Sequence, residues 1–122
     1  MAATNGLTTE VQLSLKVKDA SNTEIVRNII LSTTQNTQGT AMFPQVIAGS
    51  STNVALNLGG ITQGKWLLIE TDQEITVKLN NVTDTGFPVD GLLLVKSDTG
   101  ITGVFVSTGA NETCVKLTIV GP

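Results

Sequence analysis

Glu70, Asp72 and Glu74 stand at spacing two in "ETDQE" and form the densest group of side chains in the chain that could do chemistry. A calcium ion collects about six or more oxygen ligands, often from such a cluster. Asp84, Asp90 and Asp98, on other predicted loops or turns, are further oxygen donors. The plainer reading is a solvated turn whose charges keep a sheet edge from aggregating. On that reading no metal and no cofactor are expected, and Glu70, Asp72 and Glu74 remain the only metal candidates. Other chemistry is thinner still. The chain has no histidine and no tyrosine, which removes the usual general base, the Ser-His-Asp and Cys-His nucleophile systems and the commonest metal ligand. Two carboxylates can serve a glycosidase, but sugar clefts usually offer aromatic platforms. This chain has only Trp66, Phe43, Phe87 and Phe105, most of them in or beside apolar strands or a proline-containing loop. The single cysteine, Cys114, excludes an internal disulfide and reads as a small apolar strand residue, since no histidine is present to activate its thiol. Gly59-Gly60 lacks the Gly-Lys-Ser/Thr ending and following helix of a phosphate loop. No catalytic residue is assigned, and a non-enzymatic protein is expected.

The elements around these residues are strands. "KWLLIETDQEITVKLN" (65–80) reads as a hairpin turning at 71–73, where Asp72 suits a bond to the backbone ahead of it. Its second arm alternates, with Ile75, Val77 and Leu79 on one side. Its first arm, Trp66 to Ile69, is apolar on both. Val11, Leu13, Leu15 and Val17 alternate with polar residues in a half-buried strand. "DASNT" (19–23) turns the chain into a strand over about 24–32, apolar on both faces between Ile25 and Leu31. "TTQNTQGTAMFPQ" (33–45) is predicted to be a loop, with Met42 and Phe43 as anchors into the core or a neighbour, and Val46 and Ile47 begin a short strand. Val54, Leu56 and Leu58 alternate, 80–90 is a second loop, "GLLLVK" (91–96) is another strand apolar on both faces, and "SDTG" (97–100) is a turn. Strands 101–107 and 113–120 flank a hairpin loop. About eight short strands without a helical pattern predict an all-β, single-domain antiparallel β-sandwich or small barrel over 1–122, jelly-roll-like as first choice, with 1–9 as a flexible N-terminal arm.

Composition narrows the partners. The chain has 122 residues, net charge −3, 40% hydrophobic residues and only 14% charged ones. That is enough for one core. The seven lysines and arginines are scattered, so nucleic acid, which needs clustered cations, is not an expected partner. No run reaches the roughly 18 apolar residues of a membrane span. "MAATNGLTTE" has neither a basic start nor a hydrophobic run, so synthesis and assembly in a cytosol are expected. Nineteen threonines and many Asn, Gln and Ser supply the polar surface, a composition common in β-rich extracellular and viral structural proteins.

A two-sheet sandwich needs one apolar face per strand. Strands 66–69, 92–95 and part of 25–31 carry two. Either loops 33–45 and 80–90 fold over the excess, or another chain covers it. In the second case Trp66 and Leu68, or Leu67 and Ile69, belong to an assembly contact, along with Met42 and Phe43. The arm 2–9, including Thr4 and Leu7, orders on a neighbour.

Residues 61–121 carry Trp66-Leu67-Leu68-Ile69-Glu70-Thr71-Asp72, then Ile75 to Asn80, then "GLLLVKSDTGIT", then "NETCVKLTIVG". This run resembles small β-rich virion structural proteins of tailed bacteriophages, in which a hairpin precedes a G-L-L-L strand and the last strand ends in glycine. The resemblance implies a capsid decoration (cement) protein, a neck component, or a tail or fibre module, located in the virion. Its expected partners are the major capsid or other virion proteins and further copies of itself. The alternative is a receptor- or glycan-binding fibre or adhesin module.

Overall fold

The computed structural model describes the backbone of residues 7–35 and 39–121 and the side chains of 10–30 and 41–121. Thr4 and most of the arm lie outside these residues. Leu7 is the first residue of β1, and its side chain is not described. The fold is all-β and antiparallel, with ten strands in three sheets among the described residues, and it divides into two compact units, 1–37 and 38–122.

The first unit is a two-stranded ribbon. β1 (Leu7–Lys18) pairs with β2 (Glu24–Gln35) over twelve residue pairs. Asp19 sets its turn: its Oδ1 accepts from the Ser21 N–H (3.0 Å), the Ser21 hydroxyl (2.8 Å) and the Thr23 N–H (2.9 Å), while Asn22 takes φ 70°. These bonds hold the Asp19 carboxyl below the usual carboxylate range, the Ser21 hydroxyl contributing most and the Thr23 amide next.

The second unit holds eight strands: β3 (Gly39–Ile47), β4 (Val54–Ala55), β5 (Gly64–Thr71), β6 (Ile75–Leu79), β7 (Phe87–Val89), β8 (Leu92–Ile101), β9 (Val104–Thr108) and β10 (Thr113–Gly121). They form two four-stranded sheets in the orders β3-β10-β5-β8 and β4-β9-β6-β7, an arrangement compatible with a β-sandwich. One core joins the two. Leu67, Ile69, Val115, Leu117 and Ile119 from the first sheet meet Ile75, Val77, Val104 and Val106 from the second, all 2% exposed or less.

Several expectations are corrected. Residues 65–80 are not a hairpin: β5 and β6 belong to different sheets, and 72–74 is an arch between them. β9 and β10 are likewise joined by an arch. Apolar alternation says which face of a strand is buried, not which strand lies beside it. The predicted loop 33–45 is largely strand, since β2 runs to Gln35 and β3 begins at Gly39. Pro44 is tolerated because β3 is an edge strand, where a missing N–H can face away from the ladder. The loop 80–90 contains β7, and the turn 97–100 lies within β8, where Gly100 takes φ 100° and the Ser97 hydroxyl accepts its N–H at 3.1 Å.

Asn80 fastens an end of the fold. At φ 67° its Oδ1 accepts from the Thr102 N–H (2.7 Å) and the Gly103 N–H (3.4 Å), its Nδ2 donates to the Gly100 carbonyl (3.3 Å), and its own N–H donates to the Gly103 carbonyl (2.8 Å). Glycine at 121 is enforced by close approach, since a Cβ there would run into the Gln63 carbonyl.

Candidate functional site

The acidic triad does not converge. Glu70 is the penultimate residue of β5 and is exposed. Asp72 lies in the arch, where its Oδ1 accepts from the Cys114 N–H at 2.9 Å and so ties the arch to β10. Glu70, Thr71, Asp72, Cys114 and Lys116 line one shallow depression of about 180 Å³, whereas Glu74 lines another with Ile75 and Thr108. Among the described residues no three His, Cys, Asp or Glu side chains gather to hold a metal ion. Asp98 is held below the usual carboxylate range chiefly by its 2.8 Å hydrogen bond with Lys96, then by the charges of Lys96 and Lys65. It is an exposed surface pair.

What the fold does assemble is apolar surface, in two places. On the ribbon, directly opposed residues share a face. Val11, Leu13, Leu15 and Val17 face Ile29, Arg27 and Ile25 on one side, while Val26 and Ile30 lie on the other with Gln12, Ser14, Lys16 and Asn28. Leu15, Ile25 and Ile30 are 65%, 68% and 66% exposed. Lys16 and Lys18 pair with Glu24 at 3.3 and 3.9 Å, contacts worth about 0–1 kcal/mol at an exposed site.

The second place is the outer face of β3-β10-β5-β8. Register aligns Met42, Thr118, Leu68 and Leu94 in one cross-strand row and Pro44, Lys116, Glu70 and Leu92 in the next, with Val46 beside Cys114 beyond. Met42 is 74% exposed, Val46 and Leu92 more than half, and Leu68 and Leu94 are half-buried. The doubly apolar strands are thus resolved: Leu67, Ile69, Leu93 and Val95 turn to the core, and Leu68, Leu92 and Leu94 turn out.

The remaining expected interface residues separate. Phe43 turns inward and packs on the core. Trp66 falls on the outer side by register yet is only 3% exposed. Lys96 Nζ stands 6.0 Å from its ring centroid, and its indole N–H is buried without a hydrogen-bond partner among the described residues. Of the expected interface residues, Met42 and Leu68 lie on this outer face; Val46 and Leu92 lie there too but are not among those expected, because placing them requires knowing that β3 and β8 are the two edges of one sheet. Compared with known protein families, with curated proteins and with solved structures, the chain matches none.

Proposed function

We propose that this chain is a non-catalytic virion structural protein, a capsid decoration or stabilising protein that acts by burying apolar surface against other virion proteins and further copies of itself. The ribbon carries this reading. A lone two-stranded ribbon is marginal in water, and this one exposes leucine, isoleucine and valine on its surface. Such surface is characteristic of an interface.

The finer architecture supports the same reading. The pairs β3·β10, β4·β9, β5·β8 and β6·β7 are those of one long hairpin, and rolling it up adds β10·β5 and β9·β6. We read this pairing as a jelly roll of eight strands, an architecture recurrent in viral capsid and lectin domains. The glycan-binding alternative loses its best sugar platform, because Trp66 is buried.

The test is co-sedimentation of the full chain with gradient-purified particles from its source, beside Leu15→Asp. The expected result is saturable pelleting of the wild type and loss of pelleting for the variant at unchanged melting temperature. A wild type that stays in the supernatant at every particle concentration overturns the proposal.

A further inference from the structure

We infer that the outer face of the β3-β10-β5-β8 sheet receives a second copy of this chain, packed face to face about a twofold axis that runs along the strands between β10 and β5. The inference rests on the reading of the chain as a self-associating assembly protein and names the surface and symmetry involved.

The charges choose the occupant and the axis. In the row Pro44, Lys116, Glu70, Leu92, the two central strands present one cation and one anion side by side. A twofold along the strands exchanges β10 with β5, so Lys116 stands over Glu70 of the second copy and Glu70 over its Lys116. A twofold across the strands, centred on that row, would put lysine over lysine and glutamate over glutamate. The same axis along the strands lays β3 over β8 of the second copy. Met42 then meets Leu94, Thr118 meets Leu68, and Pro44 meets Leu92. A depression of about 140 Å³ already lies between Met42, Pro44, Lys116 and Thr118, where Leu92 and Leu94 of the second copy arrive. Aligned packing of two sheets tolerates this arrangement at about −30°.

The area fixes the strength. Towards Trp66 and Val120 the face is closed, both being under a tenth exposed. The open part spans three cross-strand rows. At ~7 Å between rows and ~5 Å between strands it measures roughly 400 Å² per copy, or about 800 Å² for the pair. That is the size of a weak contact, so the dimer is concentration-dependent in solution and gains from any scaffold that holds copies close together.

The experiment is sedimentation equilibrium of the full chain from about 1 µM to about 1 mM. It compares wild type, Lys116→Glu, Glu70→Lys, a 1:1 mixture of those two, and Met42→Asp, with circular dichroism confirming that each variant is folded. The wild type is expected to dimerise with rising concentration. Each charge variant alone, now presenting like charges to itself, weakens the dimer about tenfold or more. The mixture, one face all negative and the other all positive, associates at least as well as the wild type and loses affinity with salt. Met42→Asp, at an exposed position, abolishes association. A wild type still monomeric at about 1 mM, a dimer indifferent to the single variants, or a mixture that fails to associate overturns the inference. A chain that pellets with particles but never dimerises refutes this contact alone; one that dimerises as described but ignores particles refutes the virion proposal alone.

Discussion

The ribbon of residues 7–35 and the eight strands of 39–121 are built from the same alternation and meet opposite fates. In β10, Val115, Leu117 and Ile119 alternate with Cys114, Lys116 and Thr118, and the apolar set is wholly buried. In β1, Leu13, Leu15 and Val17 alternate with Gln12, Ser14 and Lys16, and the apolar set is exposed. The difference is not in the strands but in what faces them. β10 has a second sheet opposite, whereas the ribbon is two-stranded and Leu13, Leu15 and Val17 are exposed. An apolar stripe stabilises a fold only when something covers it, and under the proposed function a partner covers the ribbon's.

That contrast can be broken or sharpened by substitution. The largest effect belongs to the core. Leu117→Ala, at a fully buried position, should cost about 2–5 kcal/mol in denaturant unfolding. Asn80→Ala removes the acceptor for the Thr102 and Gly103 amides and places alanine at positive φ. A loss of about 1–2 kcal/mol is expected, with Asn80→Gly recovering the backbone part and not the hydrogen bonds. Leu15→Asp should change unfolding by no more than about 0.5 kcal/mol, as at an ordinary surface site, while removing particle binding. A core-sized loss from Leu15→Asp would erase the distinction between the two regions. The smallest effect is at the ribbon turn. Asp19 has a lowered folded pKa, so its contribution is present above the unfolded value near pH 4 and is lost as pH falls through the folded value. Amide chemical shifts of Ser21 and Thr23 should follow that titration, and Asp19→Asn should abolish it.

Much of this was legible in the sequence. Period two over 11–17 and 113–120 gave the strands, and the lack of helical spacing gave the all-β class, but the half-burial expected of 11–17 is not met, since Leu13, Leu15 and Val17 are exposed. The doubly apolar runs 66–69 and 92–95 pointed to a second, outer surface. Pairing was not legible. Asp72 marks the bend after Thr71 whether the chain makes a hairpin or an arch, and only contacts with β10 and β9, some forty and thirty residues away, decide between them. Residues 33–45 read as loop because the stretch is polar, holds Gly39 and Pro44 and lacks periodicity, and the Pro44 signal is one that an edge strand cancels. Trp66 looked like an exposed anchor because its neighbours in sequence are apolar, while its burial depends on residues distant in the chain.

The most direct measurement is native-state amide hydrogen exchange on the isolated chain at monomeric concentration, comparing residues 13–18 and 24–30 with β10. The expected result is that β10 amides exchange only through global unfolding, whereas the paired ribbon amides open at a free energy close to zero. Ribbon amides protected as strongly as those of Leu117 and Ile119 would contradict the proposal that the ribbon's apolar surface is stabilised by a partner.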